Sequence, residues 1–186
     1  MNKLYPMAKL VNIEFYTDPF GNIMIANDGG VKTFTQEDTE LVSAMFLRIE
    51  DEYPEAFKAL CEIYRRSMPN TPYFRWLVVS RFIRCNFSIY DRKIDVSIAG
   101  VFELEEVSCP LRGECQHDGV ICRAKFNSRL TPRQEEVMRL YCEGLSYEQV
   151  GERLYISPET VKTIKRDAFR KVGVHDINEF RNKVKL

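Results

Sequence analysis

The chain has 186 residues, 45% of them hydrophobic and 29% charged, and its 27 basic side chains balance its 27 acidic ones. That composition reads as an ordinary globular protein of one large or two small domains, not a polycation or a low-complexity chain. No apolar run reaches bilayer length and no charged-then-apolar leader opens the sequence, so the expected location is the cytoplasm, with no membrane partner. The charge is uneven. Residues 1–57 carry ten acidic and four basic side chains, whereas residues 130–186 carry eleven basic and nine acidic ones. A duplex would repel the first stretch, so any DNA contact is expected in the second.

In chain order, Val11, Ile13 and Phe15 alternate as in a half-buried strand. Thr17 to Asn22 is rich in turn formers, and Ile23 to Ala26 is expected to return as a second strand. Thr35-Gln-Glu-Asp38 reads as a helix start, with Leu41, Val42, Met45 and Phe46 following. A second helix is expected near Pro54, with Phe57, Leu60, Cys61 and Tyr64 on one stripe. Thr71-Pro72 is expected to cap a third, holding Phe74, Leu77, Val78 and Phe82. Its β-branched and aromatic content leaves a strand open. From Asn86 to Leu104 short strands are expected, since Ile94, Val96 and Ile98 alternate and Gly100 breaks the run. Asp28, before Gly29-Gly30, lacks the context of a phosphoreceiver aspartate.

Six cysteines in a cytosolic chain argue against disulfides. Cys61 and Cys142 lie within predicted helices and read as small core residues. Cys109, Cys115 and Cys122 fall within fourteen residues of a Pro- and Gly-containing loop, with Cys85 upstream. Four thiolates suit tetrahedral zinc and leave no open position for chemistry. Cys85, Cys109, Cys115 and Cys122 are therefore the expected metal ligands. His117 competes as the fourth, unligated thiols are the plain alternative, and an iron–sulfur cluster would use the same donors. Such an ion would pin the loop ahead of Thr131, as a structural staple in the first instance and a metal or redox sensor in the second.

Thr131 to Lys183 carries three helix starts in close succession. Thr131-Pro-Arg-Gln134 and Ser146-Tyr-Glu-Gln149 both have capping-box spacing. Ser157-Pro158-Glu159 opens a third helix a few residues after the second, which forces a sharp angle between them. Val137, Leu140, Tyr141 and Leu145 form the apolar stripe of the first helix, which Gly144 ends. Val161, Ile164, Ala168 and Val172 form that of the third. Lys162, Thr163, Arg166 and Arg170 lie opposite. A basic face at this position can offer Lys and Arg to phosphates and guanine edges. A solvated amphipathic helix is the plain alternative.

Leu130-Thr-Pro-Arg-Gln-Glu-Glu-Val, Gly144-Leu-Ser-Tyr-Glu-Gln-Val-Gly-Glu-Arg-Leu, Ile156-Ser-Pro-Glu-Thr-Val-Lys-Thr and Arg170-Lys-Val-Gly-Val-His175 resemble the LuxR/GerE-type helix-turn-helix. A fourth capped helix from Asp176-Ile-Asn-Glu179 fits the same family. The resemblance implies a four-helix domain of bacterial or phage transcription regulators that binds double-stranded DNA. By position, Lys162, Thr163 and Arg166 would face bases, and Ser157, Thr160 and Lys171 would touch phosphates. RNA polymerase is a further candidate partner. In this family the fourth helix commonly pairs with its twin, and Phe180 and Val184 share a face; packing of both on the domain core is the equal alternative. Two departures stand out. Ile164 replaces a common His. Gly151 replaces a usual Ala, with an expected weakening of the second helix by about 1 kcal/mol. The stretch from Cys85 through Cys109-Pro-Leu-Arg-Gly-Glu-Cys115 resembles regulators of Bacteroides-type bacteria and their mobile elements, which implies no effector.

The expected fold is α+β: a mixed α/β N-terminal domain over 1–126 with the cysteine loop at 85–122, then an all-α four-helix domain over 127–186. The expected function is sequence-specific DNA-binding transcription regulation, with no enzymatic activity. Glu143 to Leu154 also resembles the last helix-turn-helix of sigma factors, but the acidic, strand-like start lacks the basic helical region such a protein needs. A metal-dependent enzyme on the cysteine cluster, with Glu105, Glu106, Glu114 or His117 as base, has no accompanying catalytic motif.

Overall fold

The computed structural model describes residues 11–91, 93–97 and 101–184. The chain divides into two compact units, Met1–Lys125 and Phe126–Leu186. The first mixes strands and helices and the second is all-helical, so the fold class is α+β.

The N-terminal unit opens with an antiparallel sheet of three consecutive strands, β1 (Glu14–Thr17), β2 (Ile23–Asn27) and β3 (Gly30–Thr33). Alternation sends Phe15, Ile23 and Ile25 inward, and Phe15 pairs directly with Ile25. Asp18 shapes the connecting turn. Its carboxylate accepts from the Phe20 and Asn22 amides and from Asn22 Nδ2. β3 has no counterpart among the expected elements. All four of its residues are exposed, so no hydrophobic alternation marks it. Asp28 lies in the β2–β3 turn and accepts from Asn12 Nδ2 at 2.8 Å.

Three helices follow: α1 (Thr39–Glu52), α2 (Pro54–Ile63) and α3 (Thr71–Asn86), with a short 3₁₀ turn at Arg65–Ser67. Their buried stripes bring Val42, Met45, Ile49, Leu60, Val78 and Phe82 into one interior. The first start falls one turn later than expected. Thr35 to Asp38 forms a turn, because the Asp38 carboxylate takes the Thr35 N–H at 2.8 Å and holds it out of the helix. The cap of α3 is Asn70, whose side chain accepts from the Tyr73 N–H, while Thr71 and Pro72 are its first helical residues. Residues 71–86 are helical despite their β-branched and aromatic content, because burial on the α1 face decides.

The short strands expected between Asn86 and Leu104 are absent among the described residues. Val96 makes isolated bridges to Ile13 and Phe102 instead. Ile98 and Gly100 lie outside the described residues. Long-range polar ties hold this segment. Asp95 Oδ2 accepts from the Phe15 N–H at 2.6 Å, and Glu14 Oε1 accepts from the Asp91 N–H at 3.0 Å. Burial pushes the Asp95 carboxyl up to about 8, against the opposing pull of the Phe15 N–H.

The C-terminal unit is α4 (Pro132–Cys142), α5 (Tyr147–Leu154), α6 (Pro158–Val172) and α7 (Ile177–Val184). α4 and α5 both open on complete capping boxes, from Thr131 with Gln134 and from Ser146 with Gln149. Ser157 caps α6, and Gly173 closes it in the left-handed region that only glycine enters freely. Met138, Ala168, Val172, Phe180 and Val184 form one core cluster, and Val137, Val150 and Val161 a second. Among the described residues no helix is long and apolar enough to cross a membrane.

Candidate nucleic-acid interface and the cysteine cluster

α6 is positioned by the side it buries. Val161, Ala168 and Val172 anchor it in the unit's interior, while Lys162, Thr163, Arg166 and Arg170 are exposed on the opposite side. Arg166 has no ion-pair partner among the described residues, so its guanidinium is available to a ligand. Lys162 bridges Glu159 at 2.7 Å, and that hydrogen bond holds its ammonium above the usual lysine range. Thr163 donates its hydroxyl to the Glu159 carbonyl at 3.0 Å. Arg170 pairs with Asp167 at 3.0 Å.

The residues expected at phosphates already serve the fold. Ser157 Oγ accepts from the Thr160 N–H at 3.1 Å, and the two hydroxyls lie 2.9 Å apart. Both are exposed at the start of α6, where backbone amides and the helix dipole favour an anion. Lys171 Nζ donates to Gln134 Oε1 at 2.7 Å and to the Arg129 carbonyl at 3.2 Å, tying α6 to the entrance of α4. The six residues thus fall into an exposed face of α6, its capped start, and a lysine near its end.

Sequence reasoning did not find the stack behind this face. Tyr141 and Tyr147 lie parallel, with ring centroids 5.3 Å apart and an interplanar angle of 1°. Lys165 Nζ donates to the Tyr147 hydroxyl at 3.0 Å and sits 5.0 Å from the Tyr141 ring centroid. That hydrogen bond holds the Lys165 ammonium above its ordinary range and the Tyr147 phenol below it. Lys165 is only partly exposed and locked in place, unlike Arg166 beside it. A lysine after the half-buried Ile164 shows in the sequence, but its partners come from α4 and α5.

Two expectations meet the packing of this unit. Phe180 is fully buried and Val184 nearly so, both in their own unit's core. That burial fits the alternative in which the two pack on their own domain core. At Gly151 helix propensity is not what decides. An added Cβ would stand 2.6 Å from the Ile156 carbonyl oxygen, a backbone atom that cannot swing aside. The glycine allows the α5–α6 turn to approach that closely.

The four cysteines expected at a metal are free and partly buried. Among the described residues, no group of three or more His, Cys, Asp or Glu side chains is gathered closely enough to hold a metal. Burial pushes the Cys85 thiol up, Arg81 opposes that, and negative charge on Cys122, Cys109 and Cys115 adds to it. His117 and the glutamates Glu105, Glu106 and Glu114 are not drawn into this neighbourhood as ligands among the described residues.

Residues 128–181 match the family described as bacterial regulatory proteins, luxR family, and carry its GerE-type helix-turn-helix. Among curated proteins, the chain is similar to one from Mycobacterium bovis and two from Mycobacterium tuberculosis, each provisionally named an HTH-type transcriptional regulator. Each is 42% identical over 45 residues, which is 24% of this chain and 5% of the relative. The chain therefore covers a small fraction of the length of these relatives. No solved structure matches.

Proposed function

We propose that this chain is a sequence-specific, DNA-binding transcription regulator that places α6 in the major groove. The observation that carries the reading is the exposed row Lys162, Thr163 and Arg166 on the third helix of a LuxR-family domain. Arg166, which has no ion-pair partner among the described residues, is suited to a bidentate contact with a guanine edge. Lys162 can exchange Glu159 for an acceptor on DNA. Thr163, its hydroxyl occupied by its own helix, offers a methyl for apolar contact with thymine. Ser157, Thr160 and Lys171 contact phosphates and set the register. The protein works in the cytoplasm, where RNA polymerase is the machinery it influences. It is a regulator without catalytic activity, as the family description suggests.

The test is a binding titration on a duplex selected by the wild-type chain. Arg166→Ala should cost about 1–3 kcal/mol on that duplex and relax the preference at one base position. Lys171→Ala should weaken binding to all sequences and flatten the salt dependence. An Arg166→Ala protein with wild-type affinity and preference would refute the assignment of α6 as the reading helix.

A further inference from the structure

Lys165 is a cation held among aromatic rings. Its Nζ sits 5.0 Å from the Tyr141 ring centroid, 5.6 Å from that of Tyr147 and 5.1 Å from that of Phe169. It donates to the Tyr147 hydroxyl at 3.0 Å. Among the described residues no carboxylate pairs with it, whereas Lys162 and Arg170 on the same helix each have one. The ring faces hold the ammonium by its positive charge and leave that charge unneutralised. A long, flexible side chain is thereby ordered before any ligand arrives, so binding loses less entropy.

Tyr147 is the first residue of α5 and stands within reach of two lysines of α6. Besides Lys165, the Lys162 Nζ lies 5.8 Å from its ring centroid, and Lys162 belongs to the exposed row. The pair Tyr147 and Lys165 therefore borders the face that carries Lys162, Thr163 and Arg166. Both are partly exposed. The Tyr147 oxygen accepts from Lys165, which leaves its own proton to donate. The Tyr141 hydroxyl, 3.4 Å away, is a long acceptor for it. An ammonium bonded to a phenol draws charge from the O–H and makes it the stronger donor. On Lys165 the two phenols take at most two of three N–H groups, so one remains.

A cation and a hydroxyl donor side by side suit a single acceptor with negative charge. In DNA that acceptor is a phosphate oxygen, since base edges carry no charge. We propose that Lys165 and the Tyr147 hydroxyl together bind one DNA phosphate on the flank of the exposed row of α6. The contact rests on the reading of α6 as the DNA-binding helix. It is additional to Ser157, Thr160 and Lys171, and it comes from a lysine that the aromatic rings of α4, α5 and α6 hold in place. A phosphate contact carries no sequence information, so it contributes affinity and register and leaves base preference unchanged.

The experiment follows binding of the full chain over a salt series, on a duplex selected by the wild type and on a scrambled one. Lys165→Met keeps the aliphatic stem and removes the charge. It should weaken binding to both duplexes by the same factor, on the order of tenfold, and reduce the slope of log K against log salt by about 0.9. Lys165→Arg should restore the slope. Tyr147→Phe keeps the stacked ring and should cost about threefold on both duplexes with the slope unchanged, because it removes a neutral donor. On selected duplexes carrying a single uncharged methylphosphonate, one position should weaken the wild type, weaken Tyr147→Phe less, and leave Lys165→Met unaffected. A folded Lys165→Met protein with wild-type affinity and salt slope, on a duplex the wild type binds, would overturn the contact and leave the DNA reading standing. Weakening confined to the selected duplex would make Lys165 a base contact and would also overturn it. A wild-type chain that binds neither duplex would remove the DNA reading and this contact with it.

Discussion

In the C-terminal unit each helix start is tied to a residue three positions away: Thr131 with Gln134, Ser146 with Gln149, Ser157 with Thr160. In the N-terminal unit the closing ties span the chain. Phe15 bonds Asp95 across 80 positions, Asp91 bonds Glu14 across 77, and Asn86 bonds Ile121 across 35. Removing a local tie costs a cap, and the helix core persists. Removing a distant tie unpins a whole segment, because the loop it closes regains its freedom. The unit that presents a fixed basic face to a ligand is the one whose helix starts are specified locally. The N-terminal unit depends on long-range polar bonds.

Trp76, the single tryptophan, lies in α3 and reports on the N-terminal unit alone, while far-UV circular dichroism follows the helices of both. The largest effect is expected at Asn86. Asn86→Ala removes the donor to two buried carbonyls, Phe82 and Ile121, and should destabilise the N-terminal unit by about 2–3 kcal/mol. The Trp76 transition should shift while α4–α7 keep theirs. A shift common to both units would break the comparison, since the distant tie would then serve the whole chain.

A smaller effect, of about 1–3 kcal/mol, is expected from Gly151→Ala, confined to the C-terminal unit and silent at Trp76. The added methyl meets the Ile156 carbonyl and forces the α5–α6 turn outward. Helix propensity alone predicts a gain of about 1 kcal/mol, so a stabilised variant would mean the close approach does not constrain that turn.

The smallest effect is expected at the same turn. Tyr155 is 95% exposed and caps α5 in the left-handed region at φ 56°, an arrangement that strains a side-chain-bearing residue. Tyr155→Gly should therefore stabilise the C-terminal unit by about 0.5–1 kcal/mol, measured as a later thermal transition. Loss of stability would show that the tyrosine ring contributes contacts despite its exposure.

The same contrast explains what the sequence made legible. α4, α5 and α6 could be read with their caps, because the Thr131, Ser146 and Ser157 signals are local and repeat within a few residues. The exposed row of α6 followed from its buried stripe. The Tyr141–Tyr147–Lys165 cluster did not, because its partners come from three helices and a tyrosine at stripe spacing reads as core. In the N-terminal unit β1, β2 and the helices showed in their periodicity. β3 did not, since it buries nothing, and the 86–104 segment was read as strands when Val96 makes only isolated bridges. The cysteine spacing suggested a ligand set, but among the described residues no such group is gathered.

Selection from a randomised duplex pool, using the full chain at near-physiological salt, tests whether α6 reads a base sequence. The wild type should recover a defined motif, and Arg166→Ala should lose at least one of its positions while non-specific binding persists. Recovered sequences no different from the starting pool, from a folded protein with intact α4–α7, would contradict it.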